Sequence, residues 1–386
     1  SSTYGDFIGL DDLFTEHPTD QQGMQEIYTT WVDLGIDGFR IDTVKHVNLG
    51  FWQEFSPALM DHEAGIGNDD FFMFGEVFDG SPSYLSTFTT AGKLPATLDF
   101  AFQAQAVAVT NGAATQVLAD LFAGDDYYTD ADSNAYQLPT FTGNHDMGRA
   151  AMMLAKDFSG DELQERVELT NELMFLTRGQ PVVYYGDEQG FIGSAGDKDA
   201  RQDMFATQVD SYATEPVIGA PSGSRDRYDT THPLYQQIAT LGALTQEHPA
   251  LADGAQIHRY ASADAGVYAF SRIDADELVE YVVVANNSTE TASVSVPTYS
   301  EKTQFTGIYG DTARIRTGTD ARLAVDVAPL SVEVYRAGKA LTPRQKAPAV
   351  YLDPPSAGGV VGGQFRLDAV GVRGAGGDQR GEHGPA

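Results

Sequence analysis

The sequence predicts an α/β fold: a (β/α)8 barrel represented by its strands four to eight, followed by an antiparallel β-sandwich. Three observations carry that expectation. Apolar, β-prone runs end in an acid at Asp42, at Glu76 and at Asp146. The acids lie 34 and then 70 residues apart, close to one and then two units of a single period. A βα unit of such a barrel averages roughly 30 residues, and barrel enzymes keep their chemistry at the carboxyl ends of strands. After about Gly254 the texture changes to short β-rich runs between turn residues, the pattern of a small sandwich.

Taken in order, residues 1–17 contain Gly5, Gly9 and a cluster of acids, and read as irregular. Residues 18–34 place Met24, Ile27, Tyr28, Trp31 and Leu34 at helical spacing, and Gly35 ends the pattern. A strand over 36–42 follows. Residues 49–60 predict a helix, with Pro57 as a candidate break. The next elements are a strand over 71–77, a short helix or turn over 81–90, a weak strand over 96–100 and one long, mostly apolar helix over 101–122. A polar loop over 125–134 precedes a strand at 140–143, a helix at 161–176 and a strand at 180–186. The loop over 187–224 contains five glycines, and a helix over 233–247 closes this part. VYAFSRI, LVEYVVVANN, ASVSVP and LSVEVYR then supply sandwich strands, ending near Arg336. The expected domains are 1–17, the end of an inserted domain; 18–253, the barrel; 254–337, the sandwich; and 338–386, a Gly/Pro-rich tail or a truncated further β-domain. Five barrel strands are counted, so the sequence reads as amino-terminally truncated, with open strand edges.

Composition bounds the function. The chain has 386 residues, 42 % of them hydrophobic, enough for two or three domains with a large core. No apolar run approaches the length that spans a membrane. Cysteine is absent, which excludes disulfides and thiolate metal sites. The net charge of −31, from 55 acids and 24 bases, repels phosphate and excludes nucleic acid as a partner. No signal peptide is visible, although SSTYGDF does not read as a natural start.

The stretch from Gly38 to His46, GFRIDTVKH, is the centre of the chemistry. In a strand, residues two apart share a face, so Arg40 and Asp42 project together. A guanidinium beside a carboxylate fixes its orientation and complements its charge, which suits a nucleophilic Asp. Asp42, Glu76 and Asp146, in phase with the barrel repeat, are expected to converge on one mouth.

These residues resemble the α-amylase family of glycoside hydrolases. GFRIDTVKH is similar to its fourth-strand motif, FGEVF (Phe74–Phe78) to its fifth and FTGNHD (Phe141–Asp146) to its seventh. LDDL (Leu10–Leu13) is similar to the short motif that closes the family's inserted domain. The resemblance implies that Asp42 is the nucleophile, Glu76 the acid/base and Asp146 the third acid, which holds sugar hydroxyls. It implies that Arg40 orients the nucleophile and that His145 hydrogen-bonds the sugar. Lys45 and His46 would reach the sugar on the reducing-end side, and Asp197 and Arg201 would clamp the donor side. Asp12 and the His46 carbonyl would ligate a structural Ca²⁺, in a site left incomplete because the family's third-strand motif is not in this chain. The implied function is endo-hydrolysis of α-1,4-glucosidic bonds in starch-type glucans by a retaining double displacement. The alternatives are a related α-glucanotransferase or exo-α-glucosidase, a fragment inactive on its own, or a glucan-binding protein without catalysis. A secreted monomer acting on an α-glucan is expected. Trp31 and Trp52 are expected on helix faces packed against the barrel, and Tyr84, Phe88, Tyr127 and Tyr128 in core or loop packing.

Overall fold

The computed structural model describes residues 3–5, 9–68 and 70–342. The expected tail falls outside them from residue 343 on, as do residues 1, 2 and 6–8 of the first segment. The first part alternates helices and parallel strands in the order α1 (Pro18–Asp33), β1 (Gly38–Ile41), α2 (Leu49–Ile66), β2 (Phe72–Gly75), α3 (Pro82–Thr90), β3 (Ala96–Thr97), α4 (Phe100–Thr110) and α5 (Gln116–Phe122). It continues with β4 (Pro139–Phe141), α6 (Ala150–Leu154), α7 (Gly160–Leu176), β5 (Gln180–Val182), α8 (Asp210–Thr214), α9 (Pro233–Glu247) and α10 (Pro249–Ala252). All five expected barrel strands are present.

Strand β1 pairs in parallel with β2, and β2 with β3. Strands β4 and β5 form a second parallel pair. The Asp99 N–H donates to the Pro139 carbonyl at 3.0 Å and links the two groups. Among the described residues, β1 and β5 each pair with one strand only. The side chains of Leu98, Phe100 and Phe141 form a buried cluster, with Phe74 and Met147 packed against it. That cluster spans β2, the end of β3, β4 and the loop beyond β4.

Two helices differ from expectation. Pro57 does not break α2, which continues to Ile66 and ends at Gly67 in a left-handed conformation (φ 79°). Phe51, Trp52, Phe55 and Leu59 bury one face of α2, and that packing outweighs the one backbone hydrogen bond a proline removes. The run 101–122 is two helices, α4 and α5, divided by a turn at Asn111–Gly112, where Gly112 has φ 99°. Asn-Gly is a turn signal that the surrounding apolar run masked. Trp52 packs as expected and donates its indole N–H to the Val44 carbonyl at 3.1 Å. Trp31 does not: it is 54 % exposed, on the same side of α1 as Ile27 and Leu34. Phe88 and Tyr128 are buried, while Tyr84 and Tyr127 face solvent.

The second part is antiparallel: β6 (Ala255–Ala261), β7 (Val267–Ile273), β8 (Val279–Asn286), β9 (Ala292–Pro297), β10 (Gln304–Tyr309), β11 (Arg314–Arg316), β12 (Arg322–Val327) and β13 (Ser331–Ala340). A six-stranded sheet has the order β11-β10-β13-β8-β7-β6, and β9 and β12 pair separately. Leu323, Val325 and Val327 alternate inward along β12 and share one core with Val283 of β8 and Val334 of β13. Strands β6, β10, β11 and β12 add to the four that the sequence pattern singled out.

Helix α7 contacts β13 and β8, and α10 contacts β7 and β8. At this seam the Tyr309 hydroxyl donates to the Glu172 carboxyl at 2.7 Å. Burial pushes the Glu172 carboxyl up to about 8. The folded state then holds a proton that the unfolded chain has released, so this contribution is full below the ordinary carboxyl range and is lost as pH rises through about 8. Thermal melts at pH 5 and pH 8 are expected to show lower stability at the higher pH, and Glu172→Gln is expected to flatten that difference.

Candidate active site

The acids are delivered by strand ends. Arg40 and Ile41 of β1 stand opposite Phe74 and Gly75 of β2, so Asp42 and Glu76 are the next residues on two neighbouring parallel strands. Parallel neighbours lie roughly 4.8 Å apart. The ladder continues one step past the strands: the Glu76 N–H donates to the Ile41 carbonyl at 2.7 Å, and the Val44 N–H to the Glu76 carbonyl at 3.0 Å.

Arg40 Nη1 donates to Asp42 Oδ1 at 2.5 Å, the same-face pair that strand alternation predicts. The chain then turns sharply. Thr43 has φ 53°, a left-handed conformation that a β-branched residue rarely adopts and that costs of order 1–3 kcal/mol. The Thr43 N–H donates to Glu76 Oε2 at 2.9 Å, so the turn beside one acid grips the carboxylate of the other. Gly75 makes room for this: a Cβ there would lie 2.8 Å from Val44 Cγ2 and 3.1 Å from Leu94 Cδ1. Gly75→Ala is expected to destabilise the chain by about 1–3 kcal/mol in denaturant titrations.

Lys45 Nζ donates to the Phe78 carbonyl at 2.6 Å and lies 5.4 Å from the Phe78 ring centre. The Phe78 ring is 49 % exposed and stands edge-on to Phe100, with ring centres 4.8 Å apart. Phe78 is an exposed aromatic at the mouth that the sequence reading left without a role, although it closes the FGEVF motif.

Asp146 lies beyond β4, in a loop that begins with Asn144. The Asn144 side-chain carbonyl accepts the N–H groups of Asp146 and Met147, both at 2.9 Å. His145 Nε2 is 3.3 Å from Asp146 Oδ2. Arg201 Nη2 is 2.8 Å from Asp197 Oδ1 and 3.6 Å from Asp146 Oδ1. The structure therefore brings together His145, Asp146, Asp197 and Arg201 as one group, and Arg40, Asp42, Lys45 and Glu76 as another. Among the described residues no hydrogen bond or ion pair joins the two groups. Phe74, two residues before Glu76, and Met147, the residue after Asp146, both pack against the buried Leu98–Phe100–Phe141 cluster. Asn144 and Thr43 were missed in the sequence: the Asn was itself an available Asx-turn signal, whereas the strained Thr43 peptide leaves none in residue type.

Asp12 and His46 line one cleft of about 630 Å³ beside Asp42, and Asp12 Oδ2 accepts the Gly5 N–H at 2.8 Å. Calcium takes six to eight oxygen ligands. Among the described residues, no group of three or more His, Asp or Glu side chains converges to hold a metal. Those side chains alone therefore do not complete such a shell.

The α-amylase catalytic-domain family model matches residues 3–227. The chain therefore belongs to the α-amylase family. An α-amylase of Streptomyces lividans is 47 % identical over 378 residues, covering 96 % of this chain and 41 % of that protein. The chain thus spans less than half the length of that relative. A cyclomaltodextrin glucanotransferase of Klebsiella oxytoca is 25 % identical over 298 residues, 69 % of this chain and 41 % of that one. The crystal structure of an Anoxybacillus α-amylase superposes with a TM-score of 0.70 at 24 % identity, covering 88 % of this chain and 67 % of that one. That likeness shows the fold: a (β/α)8 catalytic domain joined to a β-sheet domain.

Proposed function

We propose that this chain carries the catalytic acids of an endo-acting α-1,4-glucan hydrolase that works with retention. The observation that supports this most is the side-by-side delivery of Asp42 and Glu76, with Arg40 on the first carboxylate and the Thr43 N–H on the second. In this reading Asp42 attacks the anomeric carbon of the glucosyl unit while Glu76 gives its proton to the departing glycosidic oxygen. The leaving chain is released and a glucosyl ester of Asp42 remains. Glu76 then takes a proton from water, the water oxygen attacks the same carbon, and the Asp42 carboxylate is regenerated. Asp146 and His145 hold the hydroxyls of the reacting sugar, and Asp197 with Arg201 lies on the donor side. Lys45, His46 and the Phe78 ring meet the reducing-end side. Calcium carries no step in this reading.

Strands β1 to β5 correspond here to strands four to eight of the barrel, and the domain limits stay those expected from the sequence. The partner is an α-glucan and the site of action extracellular; no helix among the described residues is long and apolar enough to cross a membrane. The similarity to a glucanotransferase favours transfer as a second reading. Incubation of the full chain with maltoheptaose separates the two. Shorter linear maltooligosaccharides are expected; cyclic or longer products support transfer, and intact maltoheptaose contradicts both.

A further inference from the structure

Arg149 takes no part in the chemistry above, yet its guanidinium is completely buried three residues beyond Asp146. A buried arginine stays charged, and leaving that charge uncompensated costs several kcal/mol. Here four hydrogen bonds compensate it. Nε donates to the Gln202 side-chain carbonyl at 3.2 Å, and Nη2 to the Ala200 carbonyl at 3.1 Å. Nη1 donates to the Tyr185 carbonyl at 2.8 Å and to the Asp187 carboxylate at 2.6 Å. The guanidinium carbon also lies 4.5 Å from the centre of the Tyr184 ring.

These partners come from two segments beyond β5, at 184–187 and at 200–202. The second segment returns to Asp146. The Asp197 N–H donates to the Asp146 carbonyl at 3.1 Å. Gly196 lies so close that a Cβ there would be 2.2 Å from the Asp146 carbonyl oxygen. Arg201, next to Ala200, reaches Asp197 and the Asp146 carboxylate. The contacts close a ring: Asp146 leads along the chain to Arg149, Arg149 grips Ala200 and Gln202, and Arg201 between them comes back to Asp146.

We propose that Arg149 is a positioning residue for Asp146, fixing the 196–202 segment and so the place where the Asp146 carboxylate and the Arg201 guanidinium meet the sugar. The proposal rests on the glycosidase reading above. A planar fork with five donors grips two loops at once, whereas the ammonium of lysine is a single point. Burial also pushes the Asp187 carboxyl up to about 6 against the pull of Arg149, so removing the fork leaves this acid buried without its partner.

The test compares kcat on maltoheptaose per folded molecule, with the folded fraction taken from denaturant titration. Arg149→Met keeps an unbranched apolar stem and loses every donor. It is expected to lower kcat about 100-fold, the effect of a roughly 1 Å misplacement, with KM changed far less. Arg149→Lys is expected to fall between this variant and the parent chain. Arg166→Met is the control. Arg166 is also buried, but it bonds to Thr110 and Glu162 and touches neither loop. It is expected to destabilise the chain and leave kcat per folded molecule within about twofold of the parent. Equal effects of Arg149→Met and Arg166→Met would mean a purely structural role and overturn the proposal. If Arg149→Met does not fold, Gln202→Leu removes one arm of the ring; a loss of about fivefold supports the proposal, and an unchanged kcat overturns it. Asp146→Asn separates the two levels. Full activity in that variant removes the glycosidase role of Asp146 itself, whereas an inactive Asp146→Asn beside a fully active Arg149→Met removes only the positioning role.

Discussion

Asparagine in place of Asp42 is expected to lower kcat on maltoheptaose by on the order of 10⁴-fold or more, in line with the removal of other covalent-catalysis residues. The substitution keeps the shape of the side chain and takes away the negative oxygen that attacks. The melting temperature is expected to move little. The Asp42 side chain is 61 % exposed and its ion pair with Arg40 stands at the surface, where such pairs contribute about 0–1 kcal/mol. That combination separates chemistry from folding: a large kinetic loss on an intact fold. Glu76→Gln is expected to fall by a smaller factor, about 10²–10⁴, because it removes proton transfer and leaves the nucleophile in place. A drop of less than about tenfold for Asp42→Asn would take the nucleophile role from this residue.

The largest effect on stability is expected at Arg178. Its guanidinium is buried and bonds the Asp99 carboxylate at 2.5 Å and Asp125 at 2.7 Å, and it lies 4.9 Å from the centre of the Phe122 ring. Asp99 also caps α4 by accepting the Phe102 N–H at 2.8 Å. The Arg178 backbone N–H donates to the Gln256 side chain of β6 at 2.7 Å. The side chain therefore joins the start of α4 to the loop before β4, and the backbone of the same residue ties the approach to β5 to the sandwich. Arg178→Met would leave two carboxylates in the interior without their cation. Breaking such a buried pair from one side costs about 3–5 kcal/mol, which a denaturant titration resolves. A change below about 1 kcal/mol would mean that water reaches Asp99 and Asp125.

The positions that the sequence made readable are those where residue type and spacing carry the information. The acids at the ends of apolar runs and the same-face Arg40–Asp42 pair follow from strand geometry; the structure places Asp42 and Glu76 side by side at two strand ends, and Asp146 in the loop beyond β4. The five parallel strands were found for the same reason. What was missed depends on contacts between distant residues. Trp31 was expected inward because helical spacing marks a face but not whether another element covers it; the structure leaves that face open. Pro57 was weighed as a break in α2, and the packing of Phe55 against Tyr28 of α1 helps to hold the helix through it. Arg149 and Arg178 had no role in the sequence reading. Only their loop and carboxylate partners, 36 to 53 residues away for Arg149 and 53 and 79 residues away for Arg178, turn them into buried anchors. Thr43 carries no sequence signal at all, since its left-handed turn is imposed by its neighbours.

The central claim is that Asp42 and Glu76 work as nucleophile and acid/base on one bond. Its most direct test is to trap the glycosyl intermediate with a fluorinated α-glucosyl fluoride, whose second step is slow, and to locate the adduct by mass spectrometry. Trypsin cleaves after Arg40 and Lys45, so the peptide 41–45 isolates Asp42 as its one carboxylate side chain. The account predicts the added sugar on that peptide, and its loss in Asp42→Asn. An adduct on the peptide that contains Glu76, or turnover of the fluoride to free β-glucose with no adduct, would contradict it.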